Sequence, residues 1–422
     1  MNDSDSPQVF IGRQPILGRD LQLYAYELLF RNGPPSSGNR ADILDATQAT
    51  ATVVANAFTE FSVSDALGPY RGFINVDHEF LFSDVLEVLP KQTVVLELLE
   101  TIAPTPDVLE RCRQLRARGF TLAADDVVET SEQHMKLLEH TEIVKIDIQD
   151  IDPARLHALV AQLKPLGKKL VAEKVETSEQ IERCQRLDFD LFQGYFFAKP
   201  TIIAGKKLNP SQITLTRLLG LLIADAETSE VERAFKQEPG LTVNMLRLTN
   251  SVGCGMATRI TSLRHAITVL GRRQLQRWVQ LLIYTSPKGD SATVNPLLQL
   301  AATRGRLMEL LAERLQQRNR EFADHAFMVG IMSLMSALLG VETAEILDHL
   351  PVAPRVKEAL TDYSGQLGEL LHLVEATEQT EPAATEEALE KLSGGYALSA
   401  QFISLSISRA LTWANNLATE AE

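Results

Sequence analysis

Residues 93–147 read TVVLELLETIAPTPDVLERCRQLRARGFTLAADDVVETSEQHMKLLEHTEIVKID. Short apolar runs open at Thr93 (TVVLEL), Phe120 (FTLAA) and Ile143 (IVKIDI), and amphipathic stretches separate them. One of those stretches, PDVLERCRQLRARG from Pro106, ends at Gly119, where a helix stop belongs. The runs are almost continuously apolar, as strands buried on both faces are. Strands alternating with helices imply a largely parallel sheet. The alternation extends in both directions. VFIGRQPIL from Val9, LYAYELLF from Leu23 and GFINV from Gly72 precede it, and KKLVAE from Lys168 and FDLFQGYFF from Phe189 follow. Eight such strands favour closure, so a TIM-like α/β barrel is expected.

After about Lys206 the strands stop. ITLTRLLGLLIA, LTVNMLRLTNSV, LRHAITVLGRRQLQRWVQLLI and HAFMVGIMSLMSALLG all carry the 3.6 period of helices. A chain of 422 residues is too long for one ordinary core. The expected division is a barrel over 1–205 and an all-α domain over 206–422, with the boundary near Pro200–Pro210. The stretch EATEQTEPAATEEALEKLSGG from Glu375 is acidic and poor in large apolar residues; it reads as a solvated loop and short helix before a last helix around Trp413.

Composition narrows the function. A hydrophobic content of 45% with 23% charged residues describes a soluble globular protein. No signal peptide opens the chain, no apolar stretch reaches membrane-span length, and Cys112, Cys184 and Cys254 show no metal-type pairing, which together point to the cytoplasm and away from a membrane. A net charge of −14 argues against DNA or any general nucleic-acid partner. A small anion remains compatible, because a metal or a few cations invert the field within one pocket.

The barrel's polar residues fall at strand ends: Glu27, Asn75, Glu97, Asp125 with Asp126, Lys145 with Asp147, Glu173 and Gln193. That is the face where such barrels place their chemistry. Any one of them, taken alone, could pair with a cation or cap a helix. In succession they describe converging carboxylates, which repel unless positive charge lies between them. Oxygen donors without Cys or His suit Mg²⁺ or Mn²⁺, and two such ions could clamp both oxygens of a phosphodiester displacement.

At these residues the sequence resembles the EAL family of cyclic-di-GMP phosphodiesterases. The matching motifs are RQPI (Arg13–Ile16), YELLFR (Tyr26–Arg31), INVDHEFL, LELLE (Leu96–Glu100), ADD (Ala124–Asp126), VKID (Val144–Asp147), AEKVET (Ala172–Thr177) and FQGYFFAKP (Phe192–Pro200). The resemblance implies that Glu27, Asn75, Glu97 and Asp125 bind metal. It assigns Asp126 and Glu173 to a second metal and the attacking water, with Glu173 as general base. Lys145 would hold that water or a phosphate oxygen, and Gln14, Arg31 and Gln193 would contact the nucleotide. Three departures stand out. Leu28 replaces the name-giving alanine, VVETSEQH from Val127 replaces a glycine-bearing loop, and Lys174 replaces the glycine after Glu173. Valine is a poor substitute for glycine wherever φ is positive.

The helical half resembles the HDOD domain over LRLTNSVGCGMATRITSLRHAITVLGRRQL (Leu246–Leu275) and HAFMVGIMSLMSALLG (His325–Gly340). Ser333 and Leu334 stand where HD phosphohydrolases carry their His-Asp metal pair, so a regulatory or interaction role is expected. GCGMATR from Gly253 lacks the strand that a phosphate loop requires. His265 and His325 read as packing or capping residues, the methionines of FMVGIMSLM as core filling, and Arg272–Arg277 as a solvated face beside an inward Trp278. Together the two halves are similar to the EAL-HDOD (YuxH-like) family. That implies a bacterial signalling protein which hydrolyses cyclic-di-GMP to pGpG, dimerises, and meets a protein partner through its HDOD domain. A receptor that binds without cutting, and a scaffold that has abandoned the nucleotide, are the competing readings.

Overall fold

In the computed structural model, residues 9–32, 67–149, 151–199, 210–237, 241, 263–284, 295–378, 382–393 and 398–420 are described. Met1–Lys199 with Ala400–Ser408 forms one unit, and Pro200–Ser399 with Arg409–Glu422 a second. The first is a closed barrel of β1 (Val9–Gly18), β2 (Leu23–Asn32), β3 (Arg71–Val76), β4 (Val94–Leu98), β5 (Thr121–Ala124), β6 (Ile143–Asp147), β7 (Lys169–Glu173) and β8 (Leu191–Gln193), in chain order.

The strands from β2 to β8 run parallel, but β1 is antiparallel to both its neighbours. The cause is local. A tight turn links β1 to β2, with Gly18 N–H donating to Gln22 O at 2.9 Å and Leu21 N–H to Gly18 O at 2.9 Å. So short a link can only reverse the chain, because a parallel neighbour needs a crossover of about a dozen residues or more. The later crossovers are capped helices. Pro106–Ala117 begins at the Thr105 cap, with proline in its first turn, and the chain leaves it through Gly119 at φ +95°. Ser178–Arg186 begins in a capping box formed by Thr177 and Gln180.

Side chains alternate across the barrel wall. Tyr26, Leu28, Ile74, Val76, Leu96 and Leu98 pack outward into the core beneath the helices. Ile16, Ala25, Phe73, Val95, Ala123, Ile143, Val171 and Leu191 point inward and form a closed apolar layer inside the barrel. This interior is a packed core, which leaves chemistry to its rim.

The regular elements of the second unit's described residues are all helices, from Pro210–Ile223 to the Arg409–Glu420 part of the last helix. Pro296–Leu315 and Arg320–Met332 approach so closely at Gly305 and Gly330 that a Cβ on Gly330 would lie 2.6 Å from Gly305 Cα. Arg320–Leu339 reaches the length of a membrane span, but Arg320, Glu321 and Asp324 interrupt its apolar character. Its mean hydropathy is 1.6, but 72% of that window is buried inside the protein. The methionines Met328, Met332 and Met335 are buried there. The reading of the acidic stretch from Glu375 is corrected. Gly365–Glu378 and Pro382–Ser393 are both helices, and Glu375 and Glu378 face a buried cation. Periodicity alone misses this because the partner, Arg304, lies far away in sequence.

Candidate active site

The functional side chains follow from the period of two along a strand. Each lies two residues beyond an inward apolar residue: Glu27 beyond Ala25, Asn75 beyond Phe73, Glu97 beyond Val95, Asp125 beyond Ala123, Lys145 beyond Ile143, Glu173 beyond Val171 and Gln193 beyond Leu191. On the reversed β1 the step is backward, from Ile16 to Gln14, and Gln14 pairs in register with Glu27. These eight residues thus form one polar layer resting on the apolar one.

Lys145 is the centre of that layer and is 1% exposed. Its ammonium lies 3.0 Å from Glu27 Oε2, 2.8 Å from Glu173 Oε1 and 3.7 Å from Asp125 Oδ1, and it donates a shorter hydrogen bond to Glu97. Glu27 is held further by Asn75 Nδ2 at 3.1 Å and by Gln193 Nε2 at 2.6 Å. Gln193 Nε2 also donates to Gln14 Oε1 at 2.7 Å. The two glutamines expected to touch the nucleotide therefore brace Glu27 here. Gly194, at φ +148°, allows β8 to close against β7; a Cβ there would meet Val175 O at 2.1 Å. Arg31 lies on β2, and its side chain falls outside the described residues.

The cluster's charges perturb one another. Burial raises the Glu97 carboxyl well above the ordinary range, and its acidic neighbours add to this against the pull of Lys145. Burial likewise lifts Glu173 to about 7. Burial works to raise Glu27 as well, but the Lys145 charge and hydrogen bonds from Gln193, Lys145 and Asn75 hold it below its usual value. For Lys145, burial opposes the charge and the surrounding carboxylates overcome it, so the ammonium stays charged. Glu97 and Glu173 are thus the carboxyls that retain protons most readily.

A divalent cation fits this donor set. Glu27, Glu97 and Glu173 each offer an oxygen, and these atoms lie within 4.8 Å of one another. Asn75 Oδ1 and Glu97 Oε2 are buried and accept no hydrogen bond. Orphaned buried acceptors cost about 1–3 kcal/mol each, and a hard cation would satisfy them. The donors are all oxygen, which favours Mg²⁺ or Mn²⁺ over zinc.

Asp126 stands apart from this group. Burial raises its carboxyl first, then repulsion from Asp125, Asp147 and Glu100, while Lys174 acts to lower it. Asp147, placed at a strand end by the sequence but given no role of its own there, forms a short ion pair with Lys174. Its place at the end of VKID was the available signal. The expected backbone conflict in the rewritten loop is corrected too. Neither Val127 nor Val128 adopts positive φ; that demand falls on Asp126 at +43° and Lys174 at +51°. A non-glycine residue in the left-handed region costs roughly 1–2 kcal/mol, and aspartate bears it better than lysine. The loop itself is ordered by Val127 N–H donating to Lys145 O at 3.0 Å, and by Ser131, which caps the helix Glu132–Leu138.

In the helical unit, Ser333 Oγ accepts from Arg304 Nη1 at 2.8 Å. Arg304 is buried, with its guanidinium on Glu378 Oε1 and Oε2 at 3.0 and 2.6 Å and on Glu375 Oε1 at 2.8 Å. A fixed positive charge therefore occupies the locus of the HD metal pair. The arginines of the 272–277 stretch are not simply solvated. Arg272 pairs with Asp225 at 3.2 Å, Arg273 with Asp324, and Arg277 with Glu309 while stacking on Phe327 at 4.0 Å; Trp278 is buried as expected. Beside them opens a cavity of about 620 Å³ lined by Arg273, Arg277, Arg318, Arg320, Glu309 and Glu313. His325 is half-buried, and burial lowers its pKa. GCGMATR lies outside the described residues.

The fold and this layer define the class: a β/α barrel with an acidic site at its rim, on a chain that continues into a helical domain. A family model for the EAL domain matches residues 43–200, and one for the HDOD domain matches 214–346. The cyclic di-GMP phosphodiesterase CdgJ of Vibrio cholerae serotype O1 is 31% identical over 383 residues, spanning 90% of this chain and 87% of that protein. The uncharacterized protein YuxH of Bacillus subtilis is 31% identical over 378 residues, 88% of this chain and 91% of that one. An EAL domain protein from Listeria monocytogenes EGD-e shares 20% identity, covering 45% of this chain and 87% of its own, with a TM-score of 0.36. The chain belongs to the EAL-HDOD family. The EAL match begins after β1 and β2, yet those strands close the barrel and supply Gln14 and Glu27.

Proposed function

We propose that the barrel, residues 1–205, binds cyclic-di-GMP and hydrolyses one of its phosphodiesters to give linear pGpG. The observation that carries this is the polar layer with its orphaned buried oxygens, on a chain that matches a cyclic di-GMP phosphodiesterase along nearly its whole length. Glu27, Asn75, Glu97, Asp125 and Glu173 would hold a Mg²⁺ or Mn²⁺ ion, which when bound supplies Lewis-acid polarisation of water and phosphate. The resemblance adds a second ion at Asp126 and Glu173. Glu173, at about 7, is poised to take the water proton as general base, and Asp126 flanks that water. The water oxygen bonds to phosphorus, one P–O ester bond breaks, and the departing oxygen takes up a proton. Lys145 offsets charge on the phosphate oxygens. Arg31, Gln14 and Gln193 orient the nucleotide.

The helical domain, residues 206–422, serves as the regulatory module and meets a protein partner. The assembly is a homodimer in the bacterial cytoplasm, a location in keeping with the free, buried Cys112 and Cys184. A receptor that binds without cutting is the second reading, and Lys174, next to Glu173 in sequence, is the observation that favours it. Incubation with cyclic-di-GMP and Mn²⁺, followed by chromatography, tests both. Wild type should yield linear product and Glu27→Ala none. Equal turnover by both would overturn the assignment, and binding without product would establish the receptor. A monomer by light scattering would refute the dimer.

A further inference from the structure

We infer that the Lys174 ammonium stands where a second cation would otherwise sit, so that the barrel carries one exchangeable divalent ion. This rests on the metal-dependent reading proposed above and departs from it at the second ion, which the resemblance implies at Asp126 and Glu173. The acidic side chains at the strand ends fall into two groups. Glu27, Glu97, Asp125 and Glu173 surround Lys145, and this group leaves Asn75 Oδ1 and Glu97 Oε2 without donors. Among the described residues, the cluster of three carboxylates close enough to share an ion lies here, at Glu27, Glu97 and Glu173.

The second group is Asp126 and Asp147, and both oxygens of Asp147 are already taken. Asp147 Oδ1 accepts from Gln149 N–H at 2.9 Å, and Oδ2 takes the Lys174 ammonium, so each oxygen has a partner. Asp126 and Glu173 are the next carboxylates acting on Lys174. No oxygen of Asp126 or Asp147 is a buried orphan. Lys174 follows the last residue of β7 with a left-handed backbone, φ +51°, and its ammonium lies on Asp147 at the end of the neighbouring β6. Two ions give the simplest phosphodiester clamp. Here a second ion would have to displace an ammonium from Asp147 and compete with it for Asp126. Lysine supplies positive charge for a phosphate oxygen but no vacant coordination position. Lys174 is therefore a positioning residue that sets the number of ions.

The test uses the full-length protein and Mn²⁺ alone. Bound metal is counted by equilibrium dialysis with atomic absorption, and coupling between ions is read from the EPR spectrum. Wild type should bind one Mn²⁺ per chain, with an uncoupled spectrum. Lys174→Gly and Lys174→Gln should each bind two, with dipolar broadening. The glycine variant relieves the left-handed backbone and the glutamine variant retains it, so agreement between them assigns the effect to charge. Two ions in the wild type would overturn the inference, as would one ion in all three proteins. No bound Mn²⁺ in any of them would overturn the metal reading itself.

Discussion

Replacing Lys145 with methionine removes the one cation among four carboxylates while nearly preserving side-chain volume. Three of those carboxylates lie 3.0, 2.8 and 3.7 Å from its nitrogen and the fourth closer still. Breaking a buried charge pair from one side costs about 3–5 kcal/mol, because the remaining charges stay buried without compensation. For a domain of this size that corresponds to roughly 6–20 °C in the barrel's unfolding temperature. The pH dependence has a definite sign. Without the ammonium, the buried carboxyls have folded-state pKa values above their unfolded ones, so the folded state binds more protons and stability falls as pH rises. The deficit relative to wild type should therefore be larger at pH 8 than at pH 5. Mn²⁺ should recover part of it, by about 2.7 kcal/mol at one hundred times its Kd. Thermal unfolding of the full chain, with and without Mn²⁺, measures all three effects. An unchanged unfolding temperature at pH 8, or a deficit that grows toward pH 5, would refute the central placement of Lys145.

Burial of Glu173 to about 7 means that a metal must displace its proton at lower pH, so Mn²⁺ affinity should weaken about tenfold from pH 8 to pH 6; a flat profile by calorimetry would contradict this. Arg304→Met should cost the helical unit about 3–5 kcal/mol, and adding Glu378→Leu should return part of that loss; denaturant titration of both variants decides it. Gly330→Ala forces a Cβ to within 2.6 Å of Gly305 Cα, so a loss of about 1–3 kcal/mol is expected, and unchanged unfolding would show that the two helices can separate without penalty.

The barrel was legible because its two periods coincide. A strand such as VVLEL carries both the inward Val95 and, two residues on, Glu97, so the pattern that predicts the fold also marks the site. The reversal of β1 was written in the short link from Gly18 to Leu23, but loop length has to be read for it to appear. Charge pairing was far less legible. Glu375 and Glu378 look solvated in sequence because Arg304, which buries them, belongs to another helix. The Lys174 substitution was visible as a lost glycine, whereas its partner Asp147 appeared only once β6 and β7 lay side by side, with Asp147 opposite Glu173.

Buried charge occurs in both halves of the chain, and the orphaned atoms show which half is equipped for a cation. Among the described residues, the buried carboxylate or amide oxygens without a donor are Asn75 Oδ1, Glu97 Oε2 and Gln193 Oε1, all in one layer of the barrel. Among the described residues of the helical unit, the orphans are nitrogens, on Trp278, Gln280 and His325. A network built only for stability has every reason to satisfy its acceptors, as the Arg304 network does with Glu375, Glu378 and Ser333. Oxygens left bare beside a buried lysine lower stability unless something positive arrives to meet them. Among the described residues the barrel's polar layer therefore gains most from a bound cation, whereas the Arg304 network, its acceptors met, makes no comparable demand.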